Sequence, residues 1–209
     1  AKDVGGGLIG PNRNLNYIIA VGAALLIPTF FILLVFLLNN KITGIGDIEF
    51  ISKIPIIGAI GKSRKPLVVF ERSKSPVSES FRAIRTSLEF IYKKQDISGK
   101  SRTILVTSSV SGEGKTFTSI NIASIYAMSN KKTVLVGLDL RKPKIFNDFD
   151  LHNDHGVVNY LIDNKEYHEI IQKTHIPNLD LITSGPIPPN PSELIISEKM
   201  REFMDKLKE

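Results

Sequence analysis

Thr103-Ile-Leu-Val-Thr-Ser-Ser-Val-Ser-Gly-Glu-Gly-Lys-Thr-Phe117 is the stretch on which the fold turns. Ile104 to Val106 is a short apolar run suited to a buried parallel strand, and Phe117, Ile120, Ala123 and Ala127 then keep helical spacing. Between strand and helix lies a Gly-x-Gly-Lys-Thr loop. In such a setting the backbone N–H groups of Ser111, Gly112, Glu113, Gly114, Lys115, Thr116 and Phe117 converge on phosphate oxygens at a helix N-terminus. Lys115 would neutralise the outer phosphates and the Thr116 hydroxyl would ligate Mg²⁺. Gly112 and Gly114 suit a backbone that must curl closely around a ligand at positive φ. Ser109 stands at the loop's first position, where Gly or Ala is usual, and changes the entry turn without removing a phosphate-binding group.

Thr133-Val-Leu-Val-Gly-Leu-Asp139 reads as a second strand, so strand, helix and strand make a right-handed parallel unit. Its carboxyl end lies on the same edge as the loop. Asp139 is therefore placed either to reach a metal or its waters, or to cap a turn, and Arg141 to approach phosphate or a neighbouring subunit. Asn178 to Thr183 reads as a further strand, and a closing helix begins near Ser192. The fold class expected is α/β, a P-loop NTPase-type parallel sheet with flanking helices, incomplete at this length. The four histidines have irregular spacing and no cysteine accompanies them, which argues against a metal centre built on them.

Tyr17 to Leu38 carries no charge and is apolar on every side. At 1.5 Å per residue the stretch reaches roughly 33 Å, enough for one transmembrane helix. Pro28 is expected to kink it, and Ala20 and Ala24 form a small-x-x-x-small pair. Basic residues accumulate after the span, which places Asn39 onward, with the loop, in the cytoplasm and residues 1–14 outside. The organisation expected is 1–14 as the end of an outer region, 15–40 as the span, 41–74 as a juxtamembrane linker and 75–209 as the loop-bearing domain. The net charge of +6 is concentrated in part at Lys62, Arg64, Lys65, Arg72 and Lys74, read either as a lipid-facing cluster or as a solvated linker. No aromatic residues interleave it, which disfavours nucleic acid. A helix is expected from Ser75-Pro76 to about Lys94, with Phe81, Ile84, Leu88 and Ile91 inward and Glu79, Arg82 and Arg85 on a face open to a partner.

The Gly-Pro-led span, Ile54-Pro-Ile-Ile-Gly58, Glu79-x-x-Arg82-x-x-Arg85, Val110 to Thr116, Asp139-Leu-Arg-Lys-Pro143 and Gly185 to Pro191 occur in an order that resembles the bacterial tyrosine kinases fused to polysaccharide copolymerases. The resemblance covers most of the chain. It implies a membrane enzyme of capsule or exopolysaccharide export that uses ATP and Mg²⁺ to phosphorylate tyrosines on neighbouring copies of itself in a ring. It further implies that Lys115, Asp139 and Arg141 are catalytic, that Thr116 and Asp139 bind the metal, and that Glu79, Arg82 and Arg85 form the subunit contact. Membrane lipids and the polysaccharide export machinery are the other implied partners. Gly137 stands where the family carries another aspartate. That substitution keeps open a second reading, a nucleotide-switched oligomeric scaffold without kinase activity. The initial Ala and the end at Glu209 suggest a segment of a longer protein, with weak nucleotide binding and no turnover expected of the segment alone.

Overall fold

The computed structural model describes residues 13–39, 41–42, 44–94 and 101–208, so the expected outer segment falls, up to residue 12, outside the described residues. The chain divides into two units, Ala1–Pro55 and Ile56–Glu209. In the first, helix α1, Arg13–Leu37, is long and apolar enough to cross a membrane and buries none of its residues against protein. It runs through Pro28 without interruption. Pro28 offers no N–H to the turn before it, and beside that gap Thr29 Oγ1 donates to the Leu25 carbonyl at 2.7 Å. Helix α2, Ile45–Ile51, follows, its entry held by Gly44 N–H donating to Asp47 Oδ2 at 3.1 Å.

The second unit starts inside the segment expected to be linker. Helix α3, Val68–Glu71, is a single turn, and Leu67, Val68 and Val69 are buried. Helix α4, Pro76–Lys94, begins where the Ser-Pro pair places it: Ser75 Oγ accepts from Ser78 N–H at 3.2 Å, and Pro76 needs no acceptor at the first helical position. Helix α5, Lys115–Ala127, leads to strand β1, Thr133–Val136. A 3₁₀ turn at Ile145–Phe149 and helix α6, Val157–Leu161, come next. Strands β2, Ile171–Lys173, and β3, Leu179–Ile182, complete the sheet, and helices α7, Pro191–Ile195, and α8, Glu198–Lys206, close the unit. Ser197 Oγ caps α8 by accepting from Met200 N–H at 3.2 Å.

The sheet runs β1-β3-β2. β1 and β3 are parallel, with Thr133 opposite Leu179 and Val136 opposite Ile182, whereas β2 is antiparallel to β3. The sheet is thus mixed rather than wholly parallel. Period-two alternation splits its side chains between two cores. Leu135, Leu179 and Leu181 meet Ile120, Ala123 and Ala127 of α5, while Val134, Val136 and Ile182 meet Tyr160 of α6 and Met200 and Phe203 of α8. A third core joins Val68, Val69, Phe81, Ile122 and Ile125, tying α3 and α4 to the far side of α5. Fully buried Phe81 and Phe203 each contribute about 1.5–3 kcal/mol by leaving water.

One expected element is not formed. Residues 103–108 take no regular secondary structure and join no sheet, and Leu105 is 78% exposed. A strand exists only through a neighbour's backbone groups, and among the described residues β1 pairs with β3 alone. Among the described residues no strand lies beside Ile104 to Val106 to complete a ladder.

Candidate functional site

The loop after Ser108 takes the shape its glycines permit. Gly112 sits at φ 90° and Gly114, the residue before α5, at φ 94° and ψ 18°, both in the left-handed region that side-chain-bearing residues avoid. Thr118 N–H donates to the Gly114 carbonyl at 2.8 Å, so α5 starts at Lys115. This delivers the free N–H groups and positive end of a 13-residue helix to the loop. Glu113 Oε2 accepts from Val110 N–H at 3.2 Å and closes the loop on itself.

Lys115 curls back over this loop. Its Nζ donates to Ser108 Oγ at 2.7 Å and to the Val110 carbonyl at 3.2 Å. Those neutral acceptors are what an anionic phosphate would displace, since bonds to charged oxygens are roughly twice as strong. Ser111, Gly112, Glu113 and Thr116 are exposed, and Phe117 turns inward to stack edge-on against Phe81 at 5.7 Å between centroids.

Asp139 lies past the end of β1, where Gly137 N–H still donates to the Ile182 carbonyl at 2.8 Å. Its Oδ1 accepts from Lys142 N–H at 2.9 Å and from Arg141 N–H at 3.3 Å, so the carboxylate caps the turn that follows it. Among the described residues no hydrogen bond or ion pair joins Asp139 or Arg141 to Lys115 or Thr116. A Cβ on Gly137 would stand 3.1 Å from Ile145 Cγ2 and 3.4 Å from Ser184 N.

On α4, Glu79 and Arg82 pair with each other on the exposed face, whereas Arg85 departs from expectation. Its Nη1 donates to Ser129 Oγ just beyond α5, and its Nε stays 3.9 Å from Glu89 Oε1 without a hydrogen bond. The reason is rotational: three residues per step falls short of a full turn, so the third member of the motif drifts toward the buried stripe. Arg85 is therefore engaged within this chain, not displayed beside Arg82. Beside it the Tyr126 hydroxyl is buried without a hydrogen-bond partner among the described residues, and burial raises its pKa above the ordinary tyrosine value.

Asn121 escapes sequence reasoning. It is fully buried on α5; its Oδ1 accepts from Val69 N–H at 2.9 Å, and its Nδ2 donates to the carbonyls of Pro66 and Phe117 at 2.6 and 2.8 Å. It fastens the segment before α3 to the helix that carries the loop. The signal available was a lone amide among Ile120, Ile122 and Ala123.

Residues 101–207 match the model of the AAA domain family. The tyrosine-protein kinase YwqD of Bacillus subtilis (strain 168) is 36% identical over 142 residues, covering 68% of this chain and 58% of that protein. The crystal structure of the chimerical protein CapA2B2 is 40% identical with a TM-score of 0.70, covering 78% of this chain and 69% of that one. The kinase domain of Escherichia coli tyrosine kinase ETK is 26% identical with a TM-score of 0.72, over 80% and 70% of the two chains. The fold and loop thus define a P-loop protein of the AAA domain class. Within that class the chain belongs to the bacterial tyrosine kinase family. It spans 60% or less of the length of the curated relatives it matches.

Proposed function

We propose that the whole protein is a membrane-anchored, ATP-dependent protein tyrosine autokinase that regulates capsular or exopolysaccharide biosynthesis and export. The observation that carries this reading is the loop itself: two left-handed glycines deliver the start of α5, with Lys115 first in the helix and Thr116 exposed beside it. These groups fit a nucleotide triphosphate with its metal. When bound, Mg-ATP supplies the transferable phosphoryl group. Lys115 would exchange Ser108 and Val110 for phosphate oxygens, the N–H groups of residues 111–117 would hold the phosphates, and Thr116 would ligate Mg²⁺. Asp139 would serve the metal through the carboxylate oxygen left over by its turn, and Arg141 would meet phosphate charge. Because phosphoryl transfer depends on positioning and charge neutralisation, each of these groups acts by place rather than by covalent chemistry.

Self-association into a ring through Glu79, Arg82 and Arg85, attachment to a bacterial inner membrane through α1, and contact with export machinery complete the proposal. For the arginine motif, Arg85 must first release Ser129 to serve a neighbouring copy. The test is phosphotyrosine on the full-length protein in membranes: Lys115→Met is expected to abolish it, and phosphorylation that survives this change defeats the proposal. The scaffold reading keeps one observation on its side, since Gly137 supplies no carboxylate and the existing Asp139 caps its own turn. ATP-dependent assembly without any phosphotyrosine would favour it.

A further inference from the structure

We propose that the cleft between residues 62–65 and the junction of α3 with α4 binds a phosphate-bearing anion, such as the headgroup of an acidic phospholipid. The cleft measures about 470 Å³ and none of the loop residues 109–116 lines it. Lys62, Arg64, Lys65 and Arg72 surround it together with Ser63 and Ser75. Lys65 alone has an acidic partner, Glu71 at 3.0 Å, and among the described residues Lys62, Arg64 and Arg72 make no ion pair. Glu71 is also the one acidic residue between positions 62 and 74, and Glu79, next along α4, is paired with Arg82. Three uncompensated cations thus face one concavity.

The walls are held in place. Ser63 Oγ accepts from Lys65 N–H at 3.1 Å, which fixes the turn carrying Arg64. Opposite, buried Ser78 Oγ lies 2.7 Å from the Arg72 carbonyl and 3.0 Å from that of Val68, pinning the end of α3 against α4. Asn121 anchors Pro66 between them. Two guanidinium forks and an ammonium on a fixed frame match a tetrahedral anion with several oxygens, which guanidinium binds in bidentate fashion. No aromatic side chain lines the cleft, so nothing there would stack a base. A cleft of this size lies within the range of ordinary ligand sites. A phospholipid source follows from the tether: Lys62 is joined to the end of α1 by about 25 residues, a reach of at most about 90 Å, so with α1 in a membrane the headgroups are linked to the cleft within one chain and their effective concentration is raised over that of free lipid. In that respect the proposal rests on the membrane-anchored reading.

The test uses the full chain in nanodiscs of phosphatidylcholine, with or without phosphatidylglycerol, and reads acylation of individual lysines by mass spectrometry. Phosphatidylglycerol is expected to slow labelling of Lys62 and Lys65 while leaving Lys131 and Lys132 unchanged. The protection should be lost in the double variant Arg64→Ala, Arg72→Ala, with affinity falling about fivefold per charge removed. In Arg64→Lys, Arg72→Lys the charge is kept, and protection should weaken only in part. Glycerol phosphate added to phosphatidylcholine discs separates the sources: protection there without acidic lipid identifies a soluble phosphate as sufficient. No protection in either arm overturns the proposal, as does equal slowing at Lys131 and Lys132 or protection that persists in the alanine variant. Nucleotide binding measured in the same discs, with Lys115→Met as control, reports separately on the kinase reading. A chain that fails to enter discs defeats the anchor while the glycerol phosphate arm still reads the cleft.

Discussion

Lys115 spends its charge on a hydroxyl and a carbonyl of its own loop, and this sets what its removal should do. Lys115→Met loses neutral partners in the free protein but charge-assisted bonds in the nucleotide complex. Nucleotide affinity of the full-length protein, measured by calorimetry, should fall by about 3 kcal/mol, roughly a hundredfold, with little change in melting temperature. Gly156 is governed by space instead. A methyl there would overlap Gly185 N, whose N–H donates to Asn153 Oδ1, and the Thr183 carbonyl, which accepts from Val157 N–H at the start of α6. Gly156→Ala should destabilise the chain by about 3 kcal/mol or more, read from a shifted urea midpoint. Two carboxylates should respond to pH with opposite signs. Glu202 is held below the ordinary glutamate range, first by its hydrogen bond from Lys206 and then by Tyr160 and Lys199. It stabilises the fold above that range, and the contribution is lost as pH falls through its lowered pKa. Burial raises the Asp148 pKa, so its ionised form opposes folding and stability is lost as pH rises through that raised value. Glu202→Gln should therefore flatten the acid limb of a melting-temperature profile, whereas Asp148→Asn should raise the plateau at neutral pH.

Among the elements, the longer helices α1, α4 and α5 were the most legible in sequence, because their signals are local, whereas the short α2, α3 and α6 were not read. Ser75-Pro76 marks the start of α4 by chemistry within one turn, and Gly114 with Lys115 marks that of α5. Strands are relations between distant segments. β1 and β3 carry enough Val, Leu and Ile to be read, but Ile171-Gln-Lys173 becomes a strand only because β3 offers it an edge. Ile104 to Val106 has the composition of a strand but, among the described residues, no partner strand, so it is none. The glycine loop was legible residue by residue, while the turn that occupies Asp139 and the inward reach of Arg85 were set by geometry that spacing alone does not carry. Asn121 belongs at this scale too, since it joins α5 to the segment before α3. Asn121→Ala would strand the Val69 N–H and the Pro66 carbonyl without partners in a dry core. The expected cost is about 2–3 kcal/mol, measured by chemical denaturation, and Asn121→Asp should not rescue it because the amide donor is gone.

For the whole molecule, one feature of the sheet has a spectroscopic signature. Among the described residues β1 pairs on one side, with Thr133 N–H donating to the Asn178 carbonyl and Gly137 N–H to that of Ile182. Successive amides of a strand point in opposite directions, so those of Val134 and Val136 face the open edge. Solvent deuterium should therefore enter β1 in a comb pattern, fast at 134 and 136 and slow at 133 and 137. If any chain, from this protein or from a second copy, lays a strand along that edge, the fast teeth of the comb slow to match the others. The alternation in one four-residue strand would thus serve as a clock-face for assembly, legible without a label and independent of any assay of phosphate chemistry.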